Sequence, residues 1–240
     1  MDAQQLYRAG KLTEAISALS ATLRDNPSDL KSRTFLFELL CFAGEFDRAE
    51  KQLDLLEQSG KKDSIIGTLL YRGALNAART RRDMFEKKSY PAAGETTGQI
   101  RGKLNGREFT SIADADSRLG SKLEVFAAGD YMWISFHDIA GIEIEPPKRL
   151  RDLLWAPAKL QTGPTFRSRD LGEVLLPVMS PLSSQHPDDV VRLGRTTEWC
   201  EDESGEIAPF GQKMLLVDGE EFPFLEVRQL EIYAENAVPA

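Results

Sequence analysis

The chain has 240 residues, 41% hydrophobic and 28% charged, the composition of a folded globular protein long enough for one large core or two modest ones. Acidic residues outnumber basic ones, 38 to 30, giving a formal charge of −8. That balance argues against nucleic acid and against an anionic membrane surface as the main ligand, since both call for a basic face.

The N-terminal third carries an internal repeat. Leu6, Ala9, Gly10, Leu12, Ala15 and Leu19 recur 34 residues later as Leu40, Ala43, Gly44, Phe46, Ala49 and Leu53. This is the period of a tetratricopeptide repeat, with Gly at the inter-helix turn and small residues where helices approach closely. Leu12, Ala15, Ile16, Leu19 and Leu23 share one helical face, and Asn26-Pro27 stops that helix. A second helix is expected from about Asp29 to Ala43, apolar nearly all round and so covered on both faces. A third begins near Asp47 and a fourth near Ser64. The repeat fails at Arg79, Arg81 and Arg82, so the fourth helix closes the stack. Tyr7 and Phe35 fall on the side of the stack that such repeats use as a groove.

The texture then changes. Pro91 to Gly98 reads as a linker, followed by strand-like runs broken at Asn105-Gly106, Gly129-Asp130 and Asp218-Gly219. Short helices are expected over Asp114–Leu119 and Arg149–Trp155. The expected fold is α+β and multidomain: TPR-like α-helical hairpins over residues 1–92, a linker at 93–98, a mostly β domain with short helices over 99–234, and a frayed tail at 235–240.

Chemistry is sparse. Cys41 lies in an apolar helical run and reads as core, while Cys200 is flanked by Glu201 and Asp202, which disfavour its thiolate. These two cysteines form no CxxC or secreted-type framework. Met1-Asp2-Ala3-Gln4-Gln5 has no leader-like pattern, and no run is long enough to span a bilayer, so a cytoplasmic chain is expected. His137 and His186 belong to no metal spacing or triad motif. Asp114-Ala115-Asp116 opens like a calcium loop but meets Leu119 where Gly is needed and Val125 where Glu is needed. No phosphate-cradling or dinucleotide-binding glycine motif is present. No catalytic residue, cofactor or metal is therefore assigned. Two segments stand out instead, Pro146 to Pro157 with Arg149, Arg151 and Trp155, and Arg192 to Trp199 with Arg192, Arg195 and Trp199. Each reads either as a brace between the two parts or as an Arg/Trp contact patch, since those residues anchor interfaces. Within the second, Arg195 is placed to pair with Glu198.

Together with Asp114-Ala115-Asp116-Ser117-Arg118-Leu119-Gly120, Trp133-Ile134-Ser135-Phe136, Leu176-Pro177-Val178 and Leu225-Glu226-Val227-Arg228, these segments resemble the ImpE/TagJ family of type VI secretion accessory proteins. The chain departs from the family pattern at Met179-Ser180-Pro181-Leu182 and at Pro209-Phe210-Gly211. The resemblance implies a non-enzymatic adaptor that binds the small (TssB-like) sheath subunit near its N-terminal helix, tied to sheath assembly or to disassembly by the ClpV ATPase. The docking residues expected are Tyr7 and Phe35 on the repeat, or the Arg/Trp residues of the β-rich part. Two other readings are a generic TPR scaffold or co-chaperone clamping a peptide carboxylate with Arg79–Arg82, and a hydrolase in the C-terminal part using converging carboxylates.

Overall fold

The structure is a computed structural model that describes residues 1–59, 62–90, 99–164, 166, 171–201 and 205–233, with only the backbone of 62–66. The linker at 93–98 and the tail at 235–240 lie outside the described residues.

Five helices come first: α1 (Ala3–Arg8), α2 (Leu12–Asp25), α3 (Leu30–Phe42), α4 (Phe46–Glu57) and α5 (Lys62–Glu86). Asp2 and Gln5 form a capping box on α1, and Asp29 caps α3 by accepting from the amides of Lys31 and Ser32. All five stripe residues of α2 are buried. Gly10 and Gly44 hold φ of +80° and +70° at equivalent turns, the left-handed conformation that Gly adopts without strain, so the repeat read in the sequence is a repeat of backbone geometry. The α3 helix buries residues on every side, as its all-round apolar sequence requires.

The rest is mostly β. An eight-stranded antiparallel sheet has the order β2-β1-β13-β6-β7-β8-β4-β5, and a three-stranded sheet has the order β12-β11-β3. The strands are β1 (Gly102–Leu104), β2 (Arg107–Phe109), β3 (Ile112–Asp114), β4 (Lys122–Ala127), β5 (Asp130–Ser135), β6 (Ile139–Ile144), β7 (Trp155–Thr162), β8 (Gly172–Pro177), β9 (Thr197–Glu201), β10 (Ile207–Gly211), β11 (Met214–Val217), β12 (Glu220–Pro223) and β13 (Gln229–Ile232). β9 and β10 form a separate hairpin, and a short α6 (Asp189–Arg192) precedes it. The three turns expected at Gly dipeptides all join paired strands, β1–β2, β4–β5 and β11–β12. Ile112 and Leu215 of the small sheet pack into one apolar cluster with Leu123, Ile142 and Leu176 of the large one.

Of the two short helices expected, one is absent and the other is a shorter 3-10 turn. Residues 114–119 are the end of β3 and a turn. Asp114 accepts from the Asp116 amide and Asp116 from the Arg118 amide, so side chains satisfy the backbone locally and outcompete a helical turn. The stretch expected as a helix over Arg149–Trp155 contains only a 3-10 turn, Leu150–Leu153. Asp152 folds back onto the amides of Lys148 and Arg149, and Trp155 opens β7 with its side chain buried.

The helices and the sheets are not separate bodies joined by a strand of chain. One apolar cluster runs from α2, α3, α4 and α5 into Phe126, Leu154, Trp155, Leu175, Met179 and Leu193.

Candidate binding surface

The two conspicuous segments mostly build the joint between the parts. Arg151 reaches Glu38 of α3 at 3.4 Å and lies over the Tyr71 ring at 4.4 Å. Tyr71 in turn stacks on Trp155, ring centroids 6.3 Å apart. Trp155 is 5% exposed, so its indole is spent inside the protein rather than offered to a partner. Arg192 bonds Asp189 at 2.8 Å, and Asp189 accepts from the Thr13 amide at 2.9 Å, supplying the cap that Lys11 cannot give α2. Arg195 does not pair with Glu198. It donates to the carbonyls of Tyr7 and Arg8 and covers the Tyr7 ring at 5.0 Å. The turn glycines of the repeat take part too, because a Cβ at Gly10 would meet Val190 at 3.0 Å and one at Gly44 would meet Ser184 at 2.6 Å. Trp199 stands apart on β9, 42% exposed.

Beneath the joint lies a charge cluster that sequence reasoning missed. Arg81 of α5 grips Glu124 of β4 through two bonds of 2.6 and 2.7 Å and donates to the Met179 carbonyl at 2.9 Å. Lys213 bonds Asp114 at 2.8 Å and also Glu124, while Tyr131 donates to Glu124 at 2.6 Å. Lys213, Asp114 and Glu124 are all buried. Burial works against the Glu124 charge, but Arg81 and Lys213 outweigh it and hold the carboxyl at about 2. Burial dominates at Asp114 and pushes it up to about 6 despite Lys213. At Glu38 burial likewise wins over Arg151 and lifts the carboxyl to about 7. The charges in the cluster balance, two cationic and two anionic, which is how they tolerate the interior. The only sequence signals were a lone Glu inside an apolar α3 and a Glu inside the apolar strand Leu123–Ala127.

The arginines proposed as a carboxylate clamp are engaged with partners within the chain. Arg79 pairs with Asp47 and Glu50, Arg81 with Glu124, and Arg82 with the Gly44 carbonyl and the Phe46 ring. His186 accepts from the Asp188 amide through Nδ1, and its Nε2 lies 3.9 Å from Cys200 Sγ and 3.5 Å from Glu198. Among the described residues, no group of three His, Cys, Asp or Glu is placed to hold a metal ion, and no helix is long and apolar enough to cross a membrane.

Two open grooves stand out among the described residues. The first, about 510 Å³, lies between the repeat and the 3-10 turn. Tyr7 and Phe35, packed edge to face at 5.8 Å, form one wall, and Leu150 and Leu153 form the other. Arg8, Lys148 and Arg149 line its rim. Three of the residues singled out in the sequence, Tyr7, Phe35 and Arg149, thus meet in one place although they come from both parts of the chain. The second groove, about 1140 Å³, lies between α5 and the open face of the large sheet, beside Leu69 and Leu70, and its floor carries the cross-strand row Glu143, Lys159, Glu173.

A TPR-like helical repeat packed through a shared core on a mostly β module, with open grooves at the seam, is the architecture of the described residues. The ImpE protein family matches residues 106–231 and a tetratricopeptide repeat matches residues 6–71. The chain is 31% identical, over 99% of its length and 93% of the relative's, to the type VI secretion system accessory component TagJ of Pseudomonas aeruginosa. It belongs to the ImpE/TagJ family. A crystal structure of a Vibrio parahaemolyticus protein shares the fold with a TM-score of 0.82 at 22% identity, covering 98% of each chain.

Proposed function

We propose that this chain is a non-enzymatic accessory protein of a bacterial type VI secretion system, working in the cytoplasm, that holds a segment of the small, TssB-like sheath subunit. Through that contact it bears on sheath assembly or on sheath disassembly by the ClpV ATPase. The observation that carries this reading is the first groove, whose two walls come from the two parts of the chain and whose geometry the joint fixes. Apolar walls of this kind suit the stripe of an amphipathic segment. Whole-length similarity to an accessory component of the secretion system supports the choice of partner. Reaction chemistry is disfavoured because the buried carboxylates Asp114 and Glu124 are neutralised by Lys213 and Arg81. The test is co-purification with the tagged full-length chain from its own cell. The small sheath subunit is expected in the eluate, and a preparation that retains neither sheath subunit refutes the role.

A further inference from the structure

A small cavity of about 70 Å³ lies inside the joint, where α3, α5 and α6 meet residues 177–184. Three arginines line it, Arg81 and Arg82 from α5 and Arg192 from α6, together with Ser180 and Ser184. No carboxylate lines it among the described residues. The three guanidinium groups are not equally spent. Arg81 is bonded twice to Glu124 and once to the Met179 carbonyl. Arg82 donates to the Gly44 carbonyl at 3.2 Å, and its Nε stands 3.8 Å from Asp83 and 4.0 Å from Glu86, beyond hydrogen-bond reach. Arg192 bonds Asp189 through one Nη, but its Nε is buried with no hydrogen-bond partner. A buried N–H left unpaired costs free energy, and this one belongs to a wall whose charged groups are all cationic.

We propose that this cavity binds a small tetrahedral oxyanion of the phosphate class, held between the Arg82 and Arg192 guanidinium groups. The volume is space for a few waters or for one such ion, and too little for a nucleotide or a peptide. A guanidinium offers N–H groups in a fixed fork that matches the oxygens of an oxyanion, and bonds between two charged groups are the strong ones. The Arg192 Nε–H would gain its acceptor, and the Arg82 charge would gain a counterion at contact distance. A water could satisfy the first of these needs but not the second. Arg82 stands on the repeat and Arg192 on the β-rich part, so the ion would clip the two parts of the chain together. An ion that binds only the folded, joined state stabilises it by mass action.

The test uses the full-length chain and inorganic phosphate. Its melting point in about 10 mM phosphate is expected to stand about 3 °C or more above that in chloride at equal ionic strength, and acetate at the same concentration should give less than half of that shift. Arg82 is partly exposed, so Arg82→Gln should leave the fold intact and abolish the phosphate shift. Arg149→Gln, at an exposed residue away from the cavity, should keep it. Selenate soaked into crystals of the full-length chain should place its anomalous peak between Arg82 and Arg192, a reading that needs no variant. Equal melting points in phosphate and chloride mean that the cavity holds water only and overturn the proposal. A shift as large with acetate overturns the assignment to the phosphate class. A shift that survives Arg82→Gln, or a selenate peak elsewhere or none, removes the ion from this cavity. Should Arg82→Gln fail to fold, the selenate peak decides alone.

Discussion

Replacing Lys213 by Met removes the cation that bridges Asp114 and Glu124 while filling most of the same volume. Lys213 is 1% exposed and its two carboxylates are equally buried, so no water can take its place. Glu124 keeps Arg81, but Asp114 loses the cation bonded to it. Breaking a buried pair from one side costs roughly 3–5 kcal/mol. The loss should depend on pH in a definite direction. In the wild type, burial already holds Asp114 at about 6, above its ordinary 3.8. The folded state therefore binds the extra proton through that window, and stability from this group falls as pH rises, levelling off near pH 6. Without Lys213 the carboxyl rises further, so the fall continues above pH 6, at about 1.4 kcal/mol per pH unit while the group stays protonated. Urea unfolding at pH 6 and pH 8, followed by far-UV dichroism and tryptophan fluorescence, measures both effects. Adding Asp114→Leu should return most of the lost stability by removing the orphaned carboxyl. A loss below about 1 kcal/mol at pH 8, a pH slope equal to that of the wild type, or failure of the second substitution to rescue refutes the reasoning.

Trp155→Ala should cost about 3–5 kcal/mol by opening a cavity at the Tyr71 stack, and the helical and β signals, coincident in the wild type, should separate on heating. Gly194→Ala should cost about 1–3 kcal/mol, because φ is +65° and the new Cβ would stand 2.5 Å from Met179 Sδ; a melting point within error of the wild type would contradict it. Glu38 holds its proton in the folded state up to about pH 7 against an ordinary 4.5, so its contribution to stability declines as pH rises through that interval, by on the order of 3 kcal/mol. Glu38→Gln should flatten the melting-point profile between pH 5 and pH 8, and identical profiles would place the titration elsewhere.

The helical repeat was readable because its signal is local and doubled: the same spacing of apolar residues and the same turn glycine occur twice. The strand pairs closed by Asn105-Gly106 and Asp218-Gly219 were readable for a similar reason, turn chemistry that demands positive φ. What escaped was whatever depends on contacts far apart in sequence. Asp114 reads as a helix start until Lys213 and Gly120 claim it. The start of α2 has no side-chain cap from Lys11, and Asp189 supplies one from far along the chain. The residues expected from the sequence to contact a partner divided along the same line. Tyr7, Phe35 and Arg149 converge on one groove, whereas Arg151, Trp155, Arg192 and Arg195 are drawn into the joint, and Trp199 lies on a separate hairpin. An Arg or Trp in an unusual segment announces a costly interface, and the sequence does not say whether that interface is with a partner or with the chain's own other half.

The joint bears directly on binding. Were the two parts hinged, a ligand would have to order them before touching both walls of the first groove, and that ordering would be subtracted from its affinity. Here the Tyr71–Trp155 stack, the Arg151–Glu38 contact and the buried Arg81–Glu124–Lys213–Asp114 cluster hold the repeat against the sheet, so the walls stand at a set distance beforehand. The Arg195 contacts do this most locally, since they tie the β-rich part to the backbone of the very turn of α1 that carries Tyr7 and Arg8. It follows that a substitution in the joint, remote from any ligand, should weaken docking by loosening the groove. Rim substitutions should instead change which ligand is preferred.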